Sequence, residues 1–98
     1  MIYNLELTEI AEVEFWEAVD WYDSQKKLLG LEFAKELQDL MKLIKENPNG
    51  FPQAYRKKYK AVLHRFPYSI FYEIHGDTIF ILAIFHNSRD PKTWQQRK

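Results

Sequence analysis

A chain of 98 residues has room for one hydrophobic core, and with 46% hydrophobic and 16% aromatic residues it is too apolar to remain disordered. Its 14 acidic and 14 basic side chains cancel, which argues against tight nonspecific nucleic-acid binding, because that affinity grows with the number of phosphates neutralised. The lack of cysteine excludes a disulfide scaffold and a thiolate nucleophile or ligand, and it permits a reducing compartment.

The segment from Ile2 to Leu7 alternates and is rich in β-favouring residues, which predicts a strand. Thr8 then offers a hydroxyl N-cap, and Glu9 and Glu12 suit the positive end of a helix. Ala11, Phe15, Ala18 and Tyr22 recur at helical spacing and predict a first helix over about 9–24. A polar link, Ser24 to Lys27, precedes Gly30, near the start of the next pattern. Phe33, Leu37, Leu40 and Ile44 then form a second apolar stripe, and the helix that carries it, 30–46, stops before Asn47-Pro48-Asn49-Gly50. Two amphipathic helices with so short a link make a helical hairpin.

Beyond Phe51-Pro52 the chain turns basic, with Arg56, Lys57, Lys58 and Lys60. Ala61 to Arg65 reads as a modest strand, which Phe66-Pro67 interrupts or places at an edge. Tyr68 to His75 is a clear strand, Gly76-Asp77 a two-residue turn, and Thr78 to His86 a nearly continuous apolar strand. Residues 87–98 are polar, with a short turn of helix around Pro91 to Trp94. The order β-α-α-β-β-β predicts an α+β fold, one domain over residues 1–98, with the helical hairpin on one face of an antiparallel sheet. The N-terminus shows no basic region followed by a long apolar run, and no apolar run approaches the length of a membrane span, so a cytoplasmic protein with no membrane partner is expected.

Charge is divided along the chain. Residues 1–46 hold 11 acids against 5 bases, and residues 47–98 hold 3 acids against 9 bases. An acidic layer and a basic layer follow, and a protein partner would be steered by them. His64, His75 and His86 match no metal-ligand spacing, and no metal or cofactor is implied. Arg56, Lys57, Lys58, Arg65, His86 and Arg89 are candidates for one basic cleft that binds or cleaves RNA: guanidinium groups grip phosphate, and a histidine moves protons near neutral pH. The competing reading makes Arg56 to Lys60 a solvated loop, His86 a strand-end histidine bonded to backbone, and Arg65 the partner of a first-helix carboxylate. Phe15 and Tyr22 read as core. Trp16 and Trp21 lie off that stripe and are candidates for partner binding.

Several pieces, in order, resemble the RelE/ParE superfamily of toxins, in particular its ParE-like branch of plasmid stabilisation proteins. They are Ala18-Val19-Asp20-Trp21-Tyr22; Leu29 to Phe33; Asn47-Pro48 with Phe51-Pro52; Arg65 to Tyr72; and Ala83 to Pro91, followed by Trp94 and Arg97. They span nearly the whole chain. The resemblance implies a bacterial toxin held inactive by a cognate antitoxin, as a homodimer or a toxin–antitoxin hetero-oligomer. ParE-like members act on DNA gyrase, whereas RelE-like members are ribosome-dependent mRNA endonucleases. By position, Arg65 matches an arginine that contacts RNA phosphate in the nuclease branch, and His86 falls where some nucleases place a catalytic histidine, with Arg89 beside it. Those nucleases add a tyrosine close to the C-terminus; here that stretch has Trp94, and no tyrosine follows Tyr72. The resemblance therefore implies a non-enzymatic gyrase inhibitor first, an mRNA endonuclease second and an inactive toxin-like domain third. The division of charge leads to the expectation that the antitoxin binds through an extended or helical segment that covers apolar surface and the basic half.

Overall fold

The computed structural model describes residues 2–90 and 92–95. Strand β1 (Asn4–Leu7) leads into helix α1 (Glu9–Gln25), which is followed by α2 (Leu29–Glu46) and a 3-10 turn at Pro48–Gly50. Strands β2 (Gln53–Tyr55), β3 (Lys58–Val62), β4 (Tyr68–His75) and β5 (Thr78–His86) come next, then the short helix α3 (Lys92–Gln95). The five strands form one sheet in the order β1-β5-β4-β3-β2, with α1 and α2 packed on one face. The expected helical hairpin on a sheet is present. The sheet is antiparallel from β2 to β5, and β1 departs from that expectation by pairing parallel with β5, Asn4 opposite Thr78.

Local chemistry explains these elements. Thr8 is extended, and its hydroxyl accepts the Ala11 amide at 3.2 Å, the N-cap of α1. Leu28, the N-cap of α2, sits in the left-handed region at φ 67° and offers no capping side chain. Asp23 of α1 takes that role, its carboxylate accepting the Gly30 amide at 2.8 Å. His75 pairs with Thr78 across a turn of Gly76 and Asp77, and Gly76 takes the positive φ, 63°, that the turn needs.

The core lies between the helices and the sheet. Ala11 and Ala18 of α1 and Phe33, Leu37 and Ile44 of α2 meet Ala61, Ile70, Tyr72, Ile79, Ile81 and Ile84 of the strands. Phe15 and Tyr22 pack against this core, as their spacing requires. Trp16 and Trp21 are both more than half exposed. The buried Tyr72 hydroxyl donates to the Pro48 carbonyl at 2.6 Å, and burial, then the neighbouring Tyr59, push its pKa up. The other face of the sheet holds a smaller cluster, Phe71, Ala83 and Phe85 with Tyr55. Among the described residues, no helix is long and apolar enough to cross a membrane.

Two strand boundaries differ from the sequence reading. The modest strand expected at 61–65 begins at Lys58 and ends at Val62, and β2 has no counterpart among the expected elements. Lys58 is buried, and its ammonium lies 2.9 Å from Glu73 of β4, which His75 also contacts at 2.8 Å. Burial would raise the Glu73 carboxyl, but the hydrogen bonds from Lys58 and His75 outweigh it, and the net pKa is lowered. A lowered folded pKa means stability that is present above the ordinary carboxylate range and is lost as pH falls through the folded value. Urea titrations from pH 7 to pH 3 should therefore cost the wild type more stability than Glu73→Gln, with the difference concentrated below pH ~4.5. At pH 7, Lys58→Met should destabilise by roughly 2–3 kcal/mol, less than for a fully buried pair because some solvent reaches both groups. Equal pH slopes for wild type and Glu73→Gln would show that the pair carries none of this dependence.

Candidate functional site

The basic candidates and His86 fall at three places, the β2–β3 hairpin, the β3–β4 turn and the end of β5, while Trp16 and Trp21 lie apart on α1. Arg56 and Lys57 form the tip of the β2–β3 hairpin, where Arg56 takes φ 54°, a strained value for a residue with a side chain, and its guanidinium lies 5.3 Å from the Tyr55 ring centre. Lys58 begins β3 in its ion pair with Glu73. Arg65 lies beyond the other end of β3, so the length of that strand, roughly 16 Å at ~3.3 Å per residue, separates it from the hairpin tip. The expected single cleft is therefore divided: Arg56 and Lys57 are set apart from Arg65 by the length of β3, whereas Arg89 lies over Phe85, in the cluster against which Tyr55 packs.

Arg65 belongs to the turn between β3 and β4, and α2 holds that turn in place. The Glu36 carboxylate accepts the His64 and Arg65 amides, both at 2.9 Å, and Glu32 accepts from the Arg65 guanidinium at 2.7 Å. That last bond holds the Glu32 carboxyl below its ordinary range and raises the Arg65 pKa. Arg65 thus pairs with a carboxylate, but one from the second helix rather than the first. Its guanidinium also lies 5.3 Å from the Phe66 ring centre.

His86 ends β5 opposite Tyr68, and their rings meet edge-on at 5.1 Å. The Ser88 amide donates to His86 Nδ1 at 3.1 Å, and the Ser88 hydroxyl lies 2.7 Å from the same nitrogen. The neutral imidazole therefore carries its proton on Nε2. The Arg89 amide donates to the His86 carbonyl at 3.1 Å, which folds Arg89 back over Phe85, 4.6 Å from that ring centre. Its guanidinium approaches Glu14 of α1 at 4.0 Å. Glu14 itself accepts the Ile84 amide at 3.1 Å and extends the β5 edge beyond the end of β1.

On the face of the sheet away from the helices, Lys60, Phe71, Phe85, Asn87, Arg89 and Gln95 line a groove of about 260 Å³. Two aromatic rings form its floor, and two cations stand over it, Lys60 over Phe71 and Arg89 over Phe85. Lys60 and Asn87 are not among the sequence candidates. The alternation of Lys58 and Lys60 about Tyr59 carries the signal for Lys60, and the charge run masks it. Among the described residues, no side-chain hydrogen bond, ion pair or ring contact joins Arg65 to His86 or to Arg89. Each arginine is drawn to a carboxylate on a different helix. Pro91 and Arg97 lie outside the described residues.

A family model described as the ParE toxin of the type II toxin–antitoxin system, parDE, matches residues 5–91. A solved structure described as the chromosomal ParDE TA system from P. aeruginosa is similar at 21% identity, covering 87% of this chain and 96% of that chain, with a TM-score of 0.78. E. coli toxin RelE, solved as a mutant in the free state, matches at 18% identity over 90% of this chain and 86% of that chain, with a TM-score of 0.46. A comparison with curated proteins gives no match.

Proposed function

The chain belongs to the ParE toxin family of type II toxin–antitoxin systems, and from that premise we propose that it inhibits growth by binding DNA gyrase and is neutralised by a cognate antitoxin in a hetero-oligomer. On this reading it acts in the cytoplasm, the compartment of its target. The observation that carries binding over catalysis is that the two arginines are drawn to different carboxylates and neither contacts His86 among the described residues. A nuclease centre needs cations and a base converging on one phosphate. Here Arg65 is engaged by Glu32 and Arg89 leans toward Glu14, on α2 and α1 respectively, with no side-chain contact from either to His86 among the described residues.

The test uses purified chain in two assays. Added to gyrase, it should inhibit supercoiling or accumulate cleaved DNA. Added to translating ribosomes, it should leave the message intact. His86→Gln should lower gyrase inhibition only as far as it weakens binding, with no pH-dependent catalytic signature. Cuts in the message at codon positions that vanish in Arg65→Ala would instead make the chain an endonuclease; one lost contact to a charged transition state is worth roughly 3 kcal/mol, more than a hundredfold in rate. Induction that leaves host growth unchanged would mark an inactive toxin-like domain.

A further inference from the structure

Helix α1 is apolar on two sides. Ala11, Phe15, Ala18 and Tyr22 face the sheet and α2. On the opposite side Ile10, Val13 and Trp16 are 51%, 56% and 56% exposed. The fold covers only the first of these sides, and apolar side chains grouped on an exposed helix face and rimmed by charge are the pattern of a partner-binding surface. Trp16 is also braced, its ring edge-on to Phe15 at 4.8 Å, so little freedom remains for a partner to remove.

The charges on that side choose the partner. Glu9, Glu12, Glu17 and Asp20 surround Val13 and Trp16 around a shallow hollow of about 460 Å³, and none of the four makes an ion pair among the described residues. Arg89 borders the face beside Glu14 and is the cation that a neighbouring hollow shares with it. An apolar ridge roughly two helical turns long, flanked by carboxylates, is complementary to another helix with an apolar stripe and lysine or arginine on both flanks. We propose that the outer face of α1 is a docking surface for a basic amphipathic helix of a partner protein. It lies on the acidic half of the chain and is distinct from the groove of Lys60 and Arg89.

Two synthetic 18-residue helical peptides test this on the purified chain. They share one leucine stripe; one carries lysines on its flanks, the other glutamates in the same places. The lysine peptide, labelled and followed by anisotropy, should bind at least tenfold more tightly than its twin and should weaken as salt rises. Val13→Ser with Trp16→Ser, both at exposed positions, should lower its affinity at least tenfold while the circular dichroism spectrum and Tm stay close to wild type. The triple variant Glu12→Lys, Glu17→Lys, Asp20→Lys should reverse the preference between the peptides. Equal binding of the two peptides, or unchanged binding by the serine variant, would overturn the proposal. Growth inhibition plays no part in the readout, so the result is independent of the gyrase reading.

Discussion

Phe33→Ala should destabilise the protein by about 4 kcal/mol, read from urea unfolding at pH 7, and lower Tm by roughly 15–30 °C. Phe33 is fully buried, and its ring contacts three others: Tyr22 at 5.2 Å, Phe66 at 5.3 Å and Tyr68 at 5.1 Å. Tyr22 belongs to α1, Phe66 to the β3–β4 turn and Tyr68 to β4, so one ring joins both helices to the end of the sheet that carries Arg65 and His86. Truncation removes the transfer free energy of the ring, leaves a cavity that three rigid neighbours cannot fill, and forfeits edge-to-face contacts. Small domains have about 5–15 kcal/mol in total, so the variant should be close to its unfolding limit at 37 °C. Phe33→Leu keeps most of the volume and should cost about 1–1.5 kcal/mol. A loss below about 2 kcal/mol for the alanine variant would mean that the four rings do not act as one packed unit.

Gly30→Ala should cost about 3 kcal/mol, although alanine is the better helix former. A Cβ built on Gly30 would lie 2.4 Å from the Val19 carbonyl oxygen and 2.6 Å from the Asp23 carboxylate. The first of these is backbone and cannot swing aside, so the two helices must separate at this contact. The second is the cap of α2, and pushing it away releases the Gly30 amide. Asp23→Ala removes the cap without the clash and should cost about 1 kcal/mol. The difference between the two variants, measured by thermal and urea unfolding, gives the steric part. Equal losses would assign the whole effect to capping.

How far the sequence can be read follows from the same interactions. Phe33, Leu37 and Ile44 sit at helical spacing because one side of α2 is buried along its length, and that periodicity survives in any order of neighbours. The cap at Thr8 is legible for a similar reason, since the cap bond is local. The start of β3 is hidden because Lys58 looks like part of a solvated run. Its cross-strand partner, Glu73, offsets the cost of its burial, and that partner is remote in sequence. The three residues of β2 are too few, and too exposed, to show alternation. The direction of β1 depends on where the chain lies when β5 arrives, which no local pattern encodes. At the site, the residue types are legible, but their grouping is not. Arg65 is drawn to α2 by Glu32 and Glu36, whose positions on the helix look like ordinary solvated charge. Trp16 and Trp21 separate from the core stripe by helical geometry alone, and both are exposed.

The pairing of β1 with β5 has a consequence for how the molecule is made. Leu7 and Thr78 are 71 positions apart in the chain (78 − 7), yet they belong to neighbouring strands. At about 5–20 residues per second, β1 waits roughly 4–14 s after its own synthesis before the strand it pairs with begins to be made. The α1–α2 hairpin needs no such delay, because its contacts are close in sequence. When β5 emerges with Ile79 and Ile81, the strand that covers its outer edge is therefore already present in the chain. A variant truncated to remove β1 should therefore join edge to edge with a neighbour more readily than the full chain, in which the earliest of the five strands to be translated covers the long apolar edge of β5 and leaves a four-residue strand in its place.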